Sequence, residues 1–521
     1  MRKVAVFDSM LRDGAQGEGI SFSVLDKMKI VRELDGLGVD YIEAGNPGSN
    51  PKDLEFFEKV KDYQFEHAKL AAFGATRRKG IRAADDAQVA SIMAAGTQVV
   101  TIFGKSWDFH VTEVIRTTLE ENLEMIADTV QYFKAHGKEV VYDAEHFFDG
   151  YKANPEYALR TLKAAEAAGA DCICLCETNG GALTSEVYQI TKAVVDALQV
   201  PVGIHTHNDG GMAVANTVAA VQAGAAHVQG TLLGIGERCG NANLSTVIAD
   251  LQLKCDVQCI PDDQMAKLTE AVRRVAEVSN LTLDNFMPYV GKSAFAHKGG
   301  MHADGVIKAP KAFEHVVPES VGNERRFPMS EVAGKGTVLK KLQALYPGLD
   351  KDSPQIKALA DQVKELEHRG YQFEGADGSF EVLAKREFEN FPKFFDIETF
   401  KVIEEQTERD GRLKASAMIK VFVDGVSEIT AAEGDGPVNA LDQALRKALE
   451  VFYPQISEVH LTDYKVRVLD SHMSTAAFVR VLIESSDGTD YWTTVGVSTD
   501  IIEASVIALA DSIDYKLLKG N

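Results

Sequence analysis

The amino-acid sequence predicts an α/β protein: an N-terminal TIM-type (β/α)8 barrel, mainly helical linker subdomains, and a C-terminal α+β domain with repeated ββα units. Three observations carry this. Short apolar runs alternate with helical stretches eight times in about the first 255 residues. The runs are continuously apolar, as in strands buried on both faces. Polar residues suited to chemistry follow the ends of the runs, which is where barrels carry their sites. A doubly wound open sheet is the alternative, but no Gly-x-Gly-x-x-Gly turn follows the first strand.

The first run, Val-Ala-Val-Phe-Asp at 4–8, is followed by a Gly-rich loop and a helix over 24–37. Further strands are expected at 41–44, 70–74, 99–104, 140–146, 172–178, 202–207 and 228–232. Helical patterns lie between them, at 52–61, 119–136, 154–168 and 213–223. Gly137, Gly169 and Gly224 close helices before the next strand, the place of a left-handed cap. The expected domains are 1–262, the barrel; 263–412, helical linkers with an active-site loop; and 413–521, a regulatory and dimerising domain.

Composition narrows the partners. The chain has 521 residues, 45% of them hydrophobic, enough for two or three packed domains. A net charge of −22 argues against nucleic acid and anionic membrane surfaces. No apolar run has membrane-spanning length. Met1-Arg2-Lys3 leads into a strand without the apolar core of a secretion signal. The six cysteines, at 172, 174, 176, 239, 255 and 259, show no Cys-x-x-Cys pair, and three alternate along one strand. Small buried thiols in a reducing, cytoplasmic compartment are expected.

The chemistry is expected around Gly203-Ile204-His205-Thr206-His207-Asn208-Asp209. Residues two apart on a strand face one way, so His205 and His207 project together. Asp8, Arg12, Asp13, Glu43, Glu145, Glu177 and Thr178 follow other strands, and Gly236 to Asn241 follow the eighth. They should converge on one mouth. Asp13, His205, His207 and Asn241 offer two imidazoles and two oxygens, a set suited to Mg²⁺, Mn²⁺ or a similar octahedral ion. Such an ion can chelate a 2-keto acid and polarise its keto group. Arg12 is placed to stabilise charge growing on that oxygen, or to form a salt bridge with Glu145 or Glu177.

Beyond 259 the strand–helix rhythm stops. An amphipathic helix over 263–280 precedes Ser293-Ala-Phe-Ala-His297-Lys-Gly-Gly-Met-His302-Ala-Asp304-Gly305, which suits an active-site loop or a surface turn. Charged helices are expected near 330–342 and 354–369, and a polar linker near 404–412. Further on, strands at 415–423, 461–468, 477–484 and 491–497 accompany helices at 438–451 and 501–516, with Asn439 and Asp500 as N-caps.

The segments Phe7-Asp8-Ser9-Met10-Leu11-Arg12-Asp13-Gly14, His205-Thr206-His207-Asn208-Asp209 and Gly234 to Asn241 resemble the three signatures of the DRE-TIM metallolyases. The chain resembles their Claisen-condensing branch, the isopropylmalate, homocitrate and citramalate synthases. Stretches at 14–23, 103–108, 142–154, 371–375, 430–447 and 495–518 are similar to bacterial (R)-citramalate synthases, so the resemblance covers essentially the whole chain. It implies a metal-dependent condensation of acetyl-CoA with pyruvate, then thioester hydrolysis, in isoleucine biosynthesis. It also implies a homodimer under allosteric control by isoleucine. Asp13, His205, His207 and Asn241 become the metal ligands, Arg12 the group on the keto oxygen, and Thr178 the carboxylate binder. Glu145 lines the site, and His302, with Asp304 beside it, stands near the acetyl group. The chain departs from the citramalate pattern at Asn46, Glu177, Phe313 and Gly334-Lys335-Gly336-Thr337. The alternatives are another 2-keto acid, an acyl-CoA lyase or aldolase, and a metal-bound sensor without catalysis.

Overall fold

The computed structural model describes residues 2–48, 50–298, 300–328, 339, 342, 346, 349, 353–389, 393–406, 413–469, 477–488 and 490–520. The chain divides into two units, Met1–Phe295 with Val316–Glu324, and Ala296–His315 with Arg325–Asn521.

The first unit is a closed eight-stranded barrel. Its strands are β1 (Ala5–Asp8), β2 (Tyr41–Glu43), β3 (Lys69–Ala75), β4 (Val99–Lys105), β5 (Glu139–Glu145), β6 (Cys172–Glu177), β7 (Val202–Thr206) and β8 (His227–Gly230). All neighbouring pairs are parallel, and β1 pairs with β8 to close the ring. Alternation along each strand decides what faces inward. Phe7, Ala71, Val99, Val141, Cys172 and Cys174 fill the interior with Tyr41. Val6, Ile42, Val100, Ile173 and Leu175 point outward to the helices in a second, larger core. Both faces of each strand are therefore apolar, the physical origin of the continuous hydrophobic runs.

The surrounding helices start and stop as their sequences specify. In α1 (Val24–Leu37), Ser23 and Asp26 form a capping box, and Gly38 ends the helix at φ 89°. Around the ring follow α2 (Pro51–Lys59), α3 (Ala87–Ala94), α4 (Leu119–Ala135), α5 (Phe147–Ala153), α6 (Pro155–Ala167), α7 (Thr184–Ala197), α8 (Ala213–Gln222) and α9 (Leu244–Lys254). The amphipathic stretch after the barrel forms a short turn and then α10 (Leu268–Val278), which packs on α1. Gly137, Gly169 and Gly224 adopt the positive φ expected of caps.

The second unit begins with α11 (Gly300–Lys308), so the stretch expected as an active-site loop is in large part a helix carrying His302 and Asp304. The expected helix at 330–342 lies mostly outside the described residues, and that at 354–369 is α12 (Pro354–His368). After α13 (Asp377–Glu389) come two βββα repeats. The first holds β9 (Asp396–Gln406), β10 (Leu413–Val423), β11 (Val426–Gly434) and α14 (Pro437–Leu449). The second holds β12 (His460–Val468), β13 (Val479–Ser486), β14 (Tyr491–Ser498) and α15 (Ile501–Lys519). Each sheet is a three-stranded antiparallel meander, so each repeat has one strand more than the ββα unit expected. The polar residues 404–406, expected in a linker, end strand β9. Asp500 caps α15 through two backbone N–H groups, but the cap of α14 is Gly436. Asn439 lies inside α14 and accepts from the Asp435 N–H at 3.2 Å. Among the described residues no helix is long and apolar enough to cross a membrane.

Candidate active site

The carboxyl ends of the barrel strands surround a cavity of about 210 Å³ whose lining includes Arg12, Asp13, Glu145, Thr178, His205 and His207. The turn after β1 builds its first wall. Asp8, buried, accepts from the Met10 and Leu232 N–H groups, both at 2.8 Å, and so ties the loops after β1 and β8 together. The Arg12 and Gly14 N–H groups both reach the Ser9 carbonyl, which curls the chain and presents Arg12 and Asp13 to the mouth.

Arg12 is fixed on three sides. Its Nε donates to Glu43 at 2.6 Å and its Nη1 to Asp13 at 2.8 Å, while its guanidinium lies 3.9 Å from the Phe73 ring centre. Ser9 Oγ donates to the same Glu43 oxygen at 2.6 Å. The salt bridge expected with Glu145 or Glu177 is therefore made with Glu43 and Asp13. Glu145 pairs with Lys105 instead. Glu177 does not line the cavity; its carboxylate accepts from Gly181 and Ala182 N–H at 3.1 and 3.3 Å and holds the loop after β6.

His205 is the last residue but one of β7 and His207 follows the strand, and their Nε2 atoms stand 3.3 Å apart. Asp13 Oδ2 is 3.6 Å from the first and 3.9 Å from the second. The loop after β8 folds back so that Asn241 bridges to His207 in antiparallel fashion. Gly240 makes this reversal possible at φ 87°, where a Cβ would stand 2.0 Å from the Gly234 carbonyl oxygen. Arg238 fastens the rim, donating to Asp209 at 2.8 and 3.0 Å and to the Thr178 carbonyl at 2.7 Å.

Electrostatics suit a cation. Burial alone would raise the Asp13 carboxyl, but Arg12 and the two imidazoles hold it well below the usual carboxylate range. Burial, then the neighbouring His207, pushes His205 down to about 3, so its imidazole is neutral with a lone pair to offer. Burial lowers His207 as well. Cis ligands of an octahedral ion at ~2.1 Å are about 3 Å apart, near the spacing of the two Nε2 atoms. Among the described residues both side-chain polar atoms of buried Asn241 lack a hydrogen-bond partner. The donors present therefore fit a hard divalent cation.

Comparison with known proteins bears on which chemistry this is. The HMGL-like family matches residues 3–275, the homocitrate synthase post-HMGL domain-like family 289–371, and the LeuA allosteric (dimerisation) domain 374–517. The (R)-citramalate synthase of Aquifex aeolicus is 53% identical over 99% of this chain and 98% of its own length. That of Geobacter sulfurreducens is 51% identical over 100% and 98%. The chain belongs to the citramalate synthase family of HMGL-like enzymes. A probable 2-isopropylmalate synthase of Methanopyrus kandleri is 34% identical over 98% of both chains. The family's barrel domain is the one that carries the cavity described above, and its members are acyl-transferring enzymes that use a divalent metal and acetyl-CoA.

Two site residues escaped the sequence reading. Asp143 lines the cavity, and Gln229 lies under His205 with its oxygen 3.0 Å from Nδ1. Inward-facing polar residues on otherwise apolar strands were the available signal. His302 and Asp304 belong to the second unit, where His302 is exposed with its ring 5.5 Å from that of Phe313, and Asp304 pairs with Lys308. Thr178 Oγ1 accepts from the His146 N–H at 2.9 Å, so its own proton can be directed elsewhere.

Proposed function

We propose that this chain condenses acetyl-CoA with pyruvate and hydrolyses the resulting thioester, giving (R)-citramalate and CoA. The observation that carries this reading is the meeting of Asp13, His205 and His207 in one buried cluster, with Arg12 bonded to Asp13. Asp13, His205, His207 and Asn241 would hold a divalent ion, Mg²⁺ or Mn²⁺, whose chemistry there is Lewis-acid polarisation of the keto group.

The chain's own residues do the rest. Thr178 binds the pyruvate carboxylate through its hydroxyl proton. Arg12, oriented by Glu43 and Asp13, stabilises the negative charge that grows on the keto oxygen as the acetyl enolate attacks the keto carbon. Proton removal from the acetyl methyl group falls to His302 or a water it orients, with Asp304 assisting and Glu145 lining the site. Water then cleaves the thioester, and loss of the thiol makes the sequence irreversible. The Phe73 and Phe103 rings, stacked 5.1 Å apart beside Arg12, favour a keto acid with a small side chain.

Residues 1–262 are the catalytic domain, 263–395 the linkers, and 396–521, which hold both βββα repeats, a homodimerising domain that binds isoleucine as an end-product effector. The absence of a disulfide among six free cysteines suits the cytoplasm. A thiol-release assay across pyruvate, 2-ketobutyrate, 2-ketoisovalerate and 2-ketoglutarate tests the substrate. Pyruvate should give the highest kcat/KM; a higher value for 2-ketoisovalerate or 2-ketoglutarate would reassign the enzyme to a related synthase.

A further inference from the structure

We propose that Gln229 selects the tautomer in which His205 can bind a metal, and that Asp143 holds Gln229 in the orientation this requires. The inference rests on the metal reading of the site and adds a positioning residue to it.

Gln229 is fully buried on β8, beside His205 in the parallel register of β7 and β8. A buried amide is costly unless both of its ends are hydrogen-bonded. Here both are. Its Oε1 lies 3.0 Å from His205 Nδ1, and its Nε2 donates to Asp143 Oδ1 at 2.9 Å. A carbonyl oxygen can only accept, so Nδ1 carries the imidazole proton and Nε2 keeps its lone pair. That Nε2 is the atom near His207 Nε2 and Asp13. The opposite orientation of the amide would present an N–H to Nδ1 and place the ring proton on Nε2, aimed at the other ligands. Asp143 favours the orientation shown, because its Oδ1 accepts from the amide Nε2 at 2.9 Å; burial, then Glu43, raises this carboxyl to about 8, and a proton on its other oxygen leaves Oδ1 an acceptor. Asp143 stands on β5 and Gln229 on β8, so the contact spans the barrel interior between strands that are not neighbours. Partners of this kind orient metal-binding histidines, and their loss typically weakens affinity about 10–100-fold.

The test is Mn²⁺ titration of chelator-stripped full-length protein by calorimetry. Gln229→Leu keeps the volume but removes the acceptor, and should raise the Mn²⁺ Kd about 10–100-fold. The double variant Gln229→Glu with Asp143→Asn restores an acceptor at Nδ1 and a donor behind it, and should recover most of that loss. A Leu variant that binds Mn²⁺ as tightly as wild type overturns the proposal, as does a double variant no better than Leu. Should the variants not fold, ¹⁵N NMR of histidine-labelled wild type still decides. His205, assigned by its disappearance in His205→Asn or by selective perturbation with Mn²⁺, should be the Nδ1–H tautomer, and the Nε2–H form would refute the assignment. Wild type that binds no Mn²⁺ would overturn the metal reading and this inference together, whereas wild-type binding matched by Gln229→Leu overturns this inference alone.

Discussion

Asp13 and His205 stand 3.6 Å apart although β1 and β7 belong to opposite ends of the barrel's chain order. The contact exists because β8 pairs with both β1 and β7, so ring closure brings the turn after β1 beside the end of β7. The same closure delivers Asn241, through the loop after β8, to His207.

Arg12 is held by Glu43 and Asp13 with little freedom to move. Arg12→Lys keeps the charge but loses the planar fork. Steady-state kinetics should show kcat lowered on the order of 10²-fold, with unchanged circular dichroism. A raised KM with unaltered kcat would instead make Arg12 a substrate anchor.

The two histidines of the 297–302 segment should separate. His297 Nε2 lies 3.0 Å from Glu314, which also receives Arg325 at 2.6 Å, an arrangement that serves local stability. His302 is exposed, with its ring 5.5 Å from that of Phe313. His302→Ala should therefore lower kcat far more than His297→Ala. The reverse order in the same assay would move the proton-transfer role to His297.

His227 supplies a pH-dependent weakness. It is buried in the barrel between the rings of Phe7 and Tyr41, at 5.3 and 5.6 Å, and burial pushes its pKa down to about 4. Between about pH 6.5 and 4 the unfolded chain then binds a proton that the folded barrel refuses, so stability is full above that window and falls as pH drops through it. The loss from this group is on the order of 3 kcal/mol by pH 4. Urea unfolding at pH 7.5 and 5 should show wild type losing more stability on acidification than His227→Leu. Equal losses would remove His227 from the account.

Regulation should reside in the C-terminal repeats. Isoleucine at millimolar levels should inhibit the full chain, with a coupling of about 1–3 kcal/mol, and should not affect protein truncated after residue 395, before the first repeat. Activity should fall as well, because Val495 and Val497 of β14 share a core with Phe373 and Phe380 around α12 and α13. Kinetics with and without isoleucine decide; an insensitive full chain or a sensitive truncated one contradicts the assignment.

The barrel was legible because its parallel strands are apolar on both faces, and the His205–His207 pair because a strand repeats every two residues. What pairs across the barrel was not. Arg12 meets Glu43 rather than Glu145 or Glu177, since ring packing and not spacing chooses among carboxylates at one mouth. Gln229 and Asp143 are 86 residues apart and on non-adjacent strands. All three strands of the second C-terminal repeat were legible, whereas β9 and β11 of the first were hidden by polar composition. β9 carries Asp396, Glu398, Lys401, Glu404 and Glu405, and Glu398 pairs with Lys420 of β10 at 2.6 Å, so a charged strand reads as a linker. In α11, Gly300, Gly305 and His302 gave the look of a loop to what is a helix.

The most direct measurement is thiol release from acetyl-CoA by the full chain, stripped with chelator and then given back Mg²⁺ or Mn²⁺, beside His207→Ala treated alike. The account predicts release that requires both pyruvate and the restored metal, with citramalate as product, and none from a His207→Ala variant whose circular dichroism is that of wild type. Pyruvate-dependent release that survives metal removal, or full activity in His207→Ala, would contradict it.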